Sequence, residues 1–327
     1  MRFERMSEFQ FTRDAIERAA AVVYRTFAPT PQFAWPLLGA ELGAEVWVKH
    51  ENYTPTGAFK VRGGLVYFDE LVASGTPAPG VISATRGNHG QSVGFAARKN
   101  NIAATIVVPH GNSREKNASM RALGVELIEH GADFQESREY AARLAIERKL
   151  HMVPSFHPHL VRGVATYALE LLNAVPDIAT VYVPIGQGSG ICGMIAARDA
   201  LGLKTEIVGV VSAHAPAYKL SFEAQKHIEH AVATELADGM ACRVPDDAAL
   251  DIICKGAARV LAVTDDELAA AMRLCFSATH SVAEGAGAAP LAAAWQERAR
   301  NRGRRIAVIL SGGNVDRDMF ARVLGRN

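Results

Sequence analysis

Short apolar runs alternate with stretches of helical spacing along this chain, most regularly from Gly80 onward. The run GVISA is followed by a glycine-rich turn, the helically spaced QSVGFAARKNN and a second apolar run, IAATIVVP. A short, wholly apolar run reads as a buried strand and a 3.6-residue spacing as a helix, so this is a strand, helix, strand unit. A second unit follows at once. Asn112 and Ser113 stand as candidate caps, REKNASMRAL has helical spacing, Gly124 stops it and VELIEHG resumes the strand pattern. Parallel strands need crossover connections, so the alternation predicts an α/β fold of helix-covered, mainly parallel sheet. It returns at TVYVPI, GQGSGICGMIAARDALG and EIVGVVSA and again at RRIAVILSGGN, which predicts a second sheet. Between Ala213 and Leu250 the pattern loosens, and no low-complexity linker separates the halves.

Composition narrows the class. A chain of 327 residues, 49% hydrophobic and 21% charged, is long enough for two packed domains. Thirty-five basic and 34 acidic residues leave a net charge of +1, so no general field draws nucleic acid or an anionic membrane. The start, MRFERMSEFQFTRDAIERAA, interleaves charge with apolar residues unlike a secretory leader, and no later run has the length of a membrane span. A cytoplasmic protein is expected. Cys192, Cys242, Cys254 and Cys275 are widely spaced and read as buried thiols.

Four loops could carry chemistry. In ENYTPTGAFKVRGG, Lys60 follows Phe59 at a strand-to-helix turn, where a desolvated amine has a lowered pKa and can attack an aldehyde. In SATRGNHGQ, Asn88 and His89 lie at the carboxyl end of a strand, where helix amides and polar side chains can hold a carboxylate. In GQGSGICG, glycines let backbone N–H groups approach a phosphate. This loop also satisfies G-x-G-x-x-G, but the next strand ends in Ser212, Ala213 and His214, without the acid that holds a dinucleotide ribose; a monophosphate fits better. The fourth loop is SGGN, where the Ser311 hydroxyl can meet a ring nitrogen. His157 and His159 read as exposed loop histidines and Arg304 and Arg305 as a solvated loop; no metal site is expected.

In this order the four loops resemble the serine/threonine dehydratase and serine racemase family, pyridoxal-phosphate enzymes of the tryptophan-synthase-β type (fold type II). The resemblance covers Phe27 to Asp316. It implies that Lys60 carries pyridoxal 5'-phosphate as a Schiff base and later takes the substrate Cα proton, with Phe59 packed beside the ring. It implies Asn88 at the ring hydroxyl, Thr85, Asn88 and His89 around the substrate carboxylate, and Gly186, Gln187, Gly188, Ser189 and Gly190 around the phosphate. Ser311 is implied at the pyridine nitrogen, Glu284 near the ring and Arg138 as a second carboxylate contact. A small domain of residues 75–159 is implied, inserted into a large domain of residues 1–74 and 160–327. Relatives are often dimers, so a homodimer is an expected assembly.

A neutral Ser311 does not protonate the ring nitrogen, which favours rapid loss of a β-hydroxyl over reactions that need a long-lived carbanion. The expected activity is therefore elimination of water from a β-hydroxy amino acid such as L-threonine or L-serine, giving a 2-keto acid and ammonia. Three departures from the family pattern qualify this. Arg86 replaces the serine that racemases place before G-N-H; it is too basic to act as an acid and can pair with a substrate or cofactor anion or point away. Val211 or Ser212 stands where cation-binding relatives have a glutamate, although ADG recurs at Ala237 to Gly239. The chain ends soon after SGGN, so no regulatory domain is expected. A bulkier or acidic substrate (phenylserine, 3-hydroxyaspartate), racemisation or β-replacement, and a catalytically silent binding protein all stay open at this point.

Overall fold

The structure, a computed structural model, describes residues 11–75 and 79–325. The charge-interleaved start through Gln10 lies outside the described residues, as do 76–78 of the expected small domain. Among the described residues ten strands are formed: β1 (Gln32–Ala34), β2 (Glu45–His50), β3 (Val81–Ala84), β4 (Ala104–Val108), β5 (Glu126–Glu129), β6 (His151–Met152), β7 (Thr180–Pro184), β8 (Glu206–Ser212), β9 (Arg259–Val263) and β10 (Arg305–Leu310). They build a six-stranded sheet in the order β1-β2-β10-β7-β8-β9 and a four-stranded sheet in the order β5-β4-β3-β6. Only the edge strand β1, paired with β2, runs antiparallel. Every residue of β3, β4 and β7 is buried, as strands covered on both faces by helices must be.

The α/β class and both sheets agree with the hydrophobic pattern. The helix Asn88–Lys99 begins inside the RGNHGQ loop, ahead of the first helically spaced residues. Ser113 caps the Arg114–Ala122 helix by accepting from the Lys116 N–H, whereas Asn112 donates to Asn117 Oδ1 at 2.7 Å and caps nothing.

Three smaller expectations are corrected. His157 and His159 are half-buried, because His157 caps the Pro158–Ala174 helix and its ring packs edge-on against Tyr67. Arg305 opens β10 instead of lying in a loop, and its Nε donates to Glu45 Oε1 at 2.9 Å. Of the four cysteines, Cys254 is only half-buried, since its helix turns that position toward the surface.

Beneath the start of the Lys60–Ala73 helix lies an almost fully buried charged knot. Arg62 is 0% exposed and donates from Nε to Glu51 Oε2 at 2.7 Å. Its terminal nitrogens reach Glu170 Oε1 at 2.6 Å and Oε2 at 2.9 Å, Thr166 Oγ1 at 2.9 Å and Thr30 Oγ1 at 3.2 Å. Lys49, also fully buried, donates to Glu170 Oε2 at 2.6 Å and to the Thr30 carbonyl at 2.7 Å. Two cations therefore face two carboxylates, and the guanidinium meets an acceptor from each nitrogen. Burial alone would raise the Glu170 carboxyl pKa, but Arg62 and Lys49 reverse the effect and hold it below the ordinary range.

A buried pair is costly to break because the surviving charge is stranded. Glu170→Ala leaves Lys49 and Arg62 sharing one carboxylate, so it is expected to cost about 3–5 kcal/mol. Urea unfolding followed by circular dichroism checks this: the midpoint falls sharply, and less so in Glu170→Gln, which keeps an acceptor.

Candidate active site

All four loops meet at the carboxyl ends of strands, where open parallel sheets bind ligands. Thr85 follows β3, Gly186 lies just beyond β7, Ser311 follows β10, and Lys60 opens the helix reached from β2. Backbone pairing holds two of these loops together. The Phe59 N–H donates to the Ser311 carbonyl at 3.0 Å, the Gly313 N–H to the Gly57 carbonyl at 2.9 Å, and Ala58 bridges Gly312. Gly57 has φ +68°, and a Cβ there would lie 2.6 Å from Asn314 Oδ1, so the lysine turn needs glycine at that position.

The cleft encloses about 830 Å³ of empty space, part of it open to solvent. Phe59, Lys60, Thr85, Arg86, Asn88 and His89 line one part of it, and Gly186, Gln187, Gly188, Gly190, Glu284 and Ser311 another. Ser189 lies behind that wall, where its hydroxyl accepts from Lys60 Nζ at 2.9 Å. Arg138 is not brought into the cleft. It is exposed on the Phe134–Glu147 helix, where Phe134 forms the wall, and its charge is felt by Asp246 instead.

Electrostatics sort these groups by task. Burial presses the Lys60 amine down to about 8, with Nζ 4.8 Å from the Phe59 ring centroid. Burial, and then the Lys60 charge, push His89 down to about 3, so its imidazole is neutral at physiological pH. Asn88 is fixed at both ends: Nδ2 donates to Glu284 Oε1 at 2.6 Å, and Oδ1 accepts from Asn314 Nδ2 at 2.9 Å.

Sequence reasoning missed Lys116 and passed over Asp238 as a cleft residue. Lys116 Nζ lies 2.6 Å from Asp238 Oδ2 and 3.0 Å from Glu284 Oε2, joining the Arg114–Ala122 helix to the large-sheet side of the cleft. Burial opposes the Lys116 charge, yet the two carboxylates overcome it and hold the ammonium above its ordinary range. Burial likewise drives the Glu284 carboxyl upward, with Lys116 pulling against that. In the sequence, REKNASMRAL carries only helical spacing; the single available signal was the ADG triplet around Asp238.

An aldehyde cofactor with a phosphate arm fits this donor set. The Ser189–Ala200 helix begins at Gly188 without a side-chain cap, so its first N–H groups are left for an anion. A Cβ on Gly186 would meet the Gly239 carbonyl oxygen at 2.3 Å, and one on Gly188, at φ +95°, would meet Ala249 Cβ at 2.6 Å. The cradle is therefore open only to glycine at these two positions. The depressed Lys60 amine beside it has the character of the nucleophile that an aldehyde requires.

Comparison with known proteins points the same way. Residues 23–312 match the family model described as pyridoxal-phosphate dependent enzyme. An L-threonine ammonia-lyase of Thermotoga maritima is 32% identical over 291 residues, which is 89% of this chain and 72% of that protein. The processed threonine deaminase isoform 2 of Solanum lycopersicum superposes with a TM-score of 0.85 at 25% identity, covering 95% of this chain and 93% of that one. Maize serine racemase superposes with a TM-score of 0.88 at 27% identity, covering 96% of each chain. With the lysine turn and glycine cradle in place and the match spanning most of its length, the chain belongs to the pyridoxal-phosphate-dependent enzymes, and pyridoxal phosphate is its cofactor.

Proposed function

We propose that this enzyme is an ammonia-lyase that removes water from a small β-hydroxy amino acid, with threonine or serine as the default substrate, and yields a 2-keto acid and ammonia. The observation that carries the reading is Ser311, a buried and uncharged hydroxyl lining the cleft at the end of β10, where it can meet a ring nitrogen without charging it. The named activities of the relatives support the same reaction class.

When bound, pyridoxal phosphate supplies an electron sink for the bonding pair left behind as the substrate Cα proton departs. The protein supplies the rest. Lys60 would hold the aldehyde and, once displaced there by the substrate amine, would take the Cα proton as a free base; the resulting ammonium is then an acid for the leaving hydroxyl. Amides of Gln187, Gly188, Ser189 and Gly190 would hold the phosphate. Ser311 would hydrogen-bond the ring nitrogen without charging it, and the doubly tethered Asn88 would be held in a fixed orientation at the ring hydroxyl. Thr85, Asn88 and His89 receive the α-carboxylate, with the neutral His89 donating a hydrogen bond but adding no charge. Residues 75–159 form a small domain against the large one, residues 1–74 and 160–327. The Lys116 clasp to Asp238 and Glu284 holds the two together over bound substrate and excludes water. Arg86 offers no transferable proton on the face opposite Lys60, so racemisation is minor.

Four outcomes are expected. A keto-acid assay of the holoenzyme over threonine, serine, 3-hydroxyaspartate and phenylserine gives product from at least one; silence on all four contradicts the reading. Lys60→Ala loses the visible cofactor absorption and at least about a hundredfold in turnover.

Because the Lys60 pKa lies near 8 and an ordinary lysine near 10.5, the neutral amine gains population as pH rises through 8. Competitive acetylation of cofactor-free protein, read at the Lys60 peptide by mass spectrometry, is half-maximal near pH 8; a midpoint above 10 contradicts the burial. Gly188→Ala strains a left-handed position and narrows the cradle, so equilibrium dialysis shows cofactor affinity lowered by about tenfold or more.

A further inference from the structure

Three lysine or arginine side chains line the cleft: Lys60, Arg86 and Lys116. Two have partners. Lys60 donates to Ser189, and Lys116 is clasped by Asp238 and Glu284. Arg86 has none among the described residues, and its Nε is buried without a hydrogen-bond acceptor. A guanidinium presents a planar fork of donors matched to a carboxylate, and leaving a desolvated donor unmet is costly.

The α-carboxylate does not need it. Thr85 Oγ1 accepts from the Gly87 N–H at 2.9 Å and the Gly90 N–H at 3.3 Å, which shapes the turn. The Asn88–Lys99 helix then starts without a side-chain cap, so the amides of Asn88 and His89 are free for one carboxylate. Arg86 lies within that turn, between Thr85 and Gly87, and also lines an adjoining space of about 920 Å³, part of it open to solvent, with Asn112, Ser113 and Asn314 on its wall and the carboxylates of Asp238, Glu284 and Asp316 farther round it. There is room next to the α-carboxylate for a longer, charged substituent on Cβ.

We propose that Arg86 receives a second carboxylate, carried on the substrate's β-carbon, and that the preferred substrate is a β-hydroxy dicarboxylic amino acid, 3-hydroxyaspartate. This rests on the dehydratase reading above. The Cα proton goes to Lys60, its bonding pair forms the Cα=Cβ bond as Cβ–O breaks, and the hydroxyl leaves with a proton as water. The enamine tautomerises, adds water and releases ammonia. The sum is 3-hydroxyaspartate giving oxaloacetate and ammonia, with no oxidant or reductant. Arg86 holds its proton throughout and acts only as a binding group.

The test compares kcat/KM of the holoenzyme for 3-hydroxyaspartate, its β-amide 3-hydroxyasparagine, and threonine. The acid is expected to exceed the amide by about tenfold or more. In Arg86→Met the ratio of acid to threonine falls by about tenfold to a hundredfold, mainly through KM, and Arg86→Lys recovers part of it. Calorimetry of the holoenzyme with succinate and its monoamide, succinamate, gives a readout without turnover: succinate binds tighter, and the difference disappears in Arg86→Met. Equal use of acid and amide by the wild type, or a proportional loss on acid and threonine in Arg86→Met, overturns the proposal. If no hydroxy amino acid yields a keto acid, the dehydratase reading falls. The succinate comparison then decides for or against Arg86 as a carboxylate site.

Discussion

Beneath Lys60, Arg62, Lys49, Glu51 and Glu170 form a charge-balanced, almost fully buried knot, and the geometry of the cleft depends on it. Arg62 lies two residues beyond Lys60 on the same helix, Lys49 and Glu51 flank the end of β2, and Glu170 belongs to the Pro158–Ala174 helix. One set of charge-assisted bonds thus pins the helix that presents the amine to the sheet end that bounds the cleft. Such a knot is not a large source of stability compared with well-packed apolar residues, but it tolerates almost no displacement once formed. The surrounding backbone adds to the restraint, since the pairing between Gly57–Phe59 and Ser311–Gly313 ties the lysine turn to the end of β10.

The same economy of charge runs through the cleft. Each ionisable group is either neutralised by a neighbour, as Lys116 is by Asp238 and Glu284, or pressed toward its neutral form by burial, as Lys60 and His89 are. A water-poor site of this kind strengthens the interactions that remain and keeps an amine available as a base near neutral pH. Arg86 is the exception, a guanidinium without a partner among the described residues at the edge of the cleft, and an exception of that sort points to a ligand.

Much of this was legible in the chain. Buried parallel strands announce themselves as apolar runs, and the glycine and polar loops at their ends carry local signals that survive without any tertiary contact. Lys60, Asn88, the Gly186–Gly190 loop and Ser311 were visible for that reason. The Lys116–Asp238 pair was not, because its partners lie 122 residues apart and each looks alone like a solvated charge. Arg62 hides in the same way: a lysine-arginine helix start reads as surface until the fold buries it. Arg138 shows the converse error, a charge set by resemblance beside the substrate that the helix carries into solvent. The antiparallel strand β1, only three residues long, is set by its pairing to β2 and by no pattern of its own.

The account stands on Lys60 as the residue that bears the cofactor. Borohydride reduction of the holoenzyme, followed by proteolysis and mass spectrometry, locates the amine to which the pyridoxyl group becomes fixed. The structure predicts the label on the peptide containing Lys60 and on no other lysine. A label on Lys49 or Lys116, or a reduced protein carrying none, would contradict it.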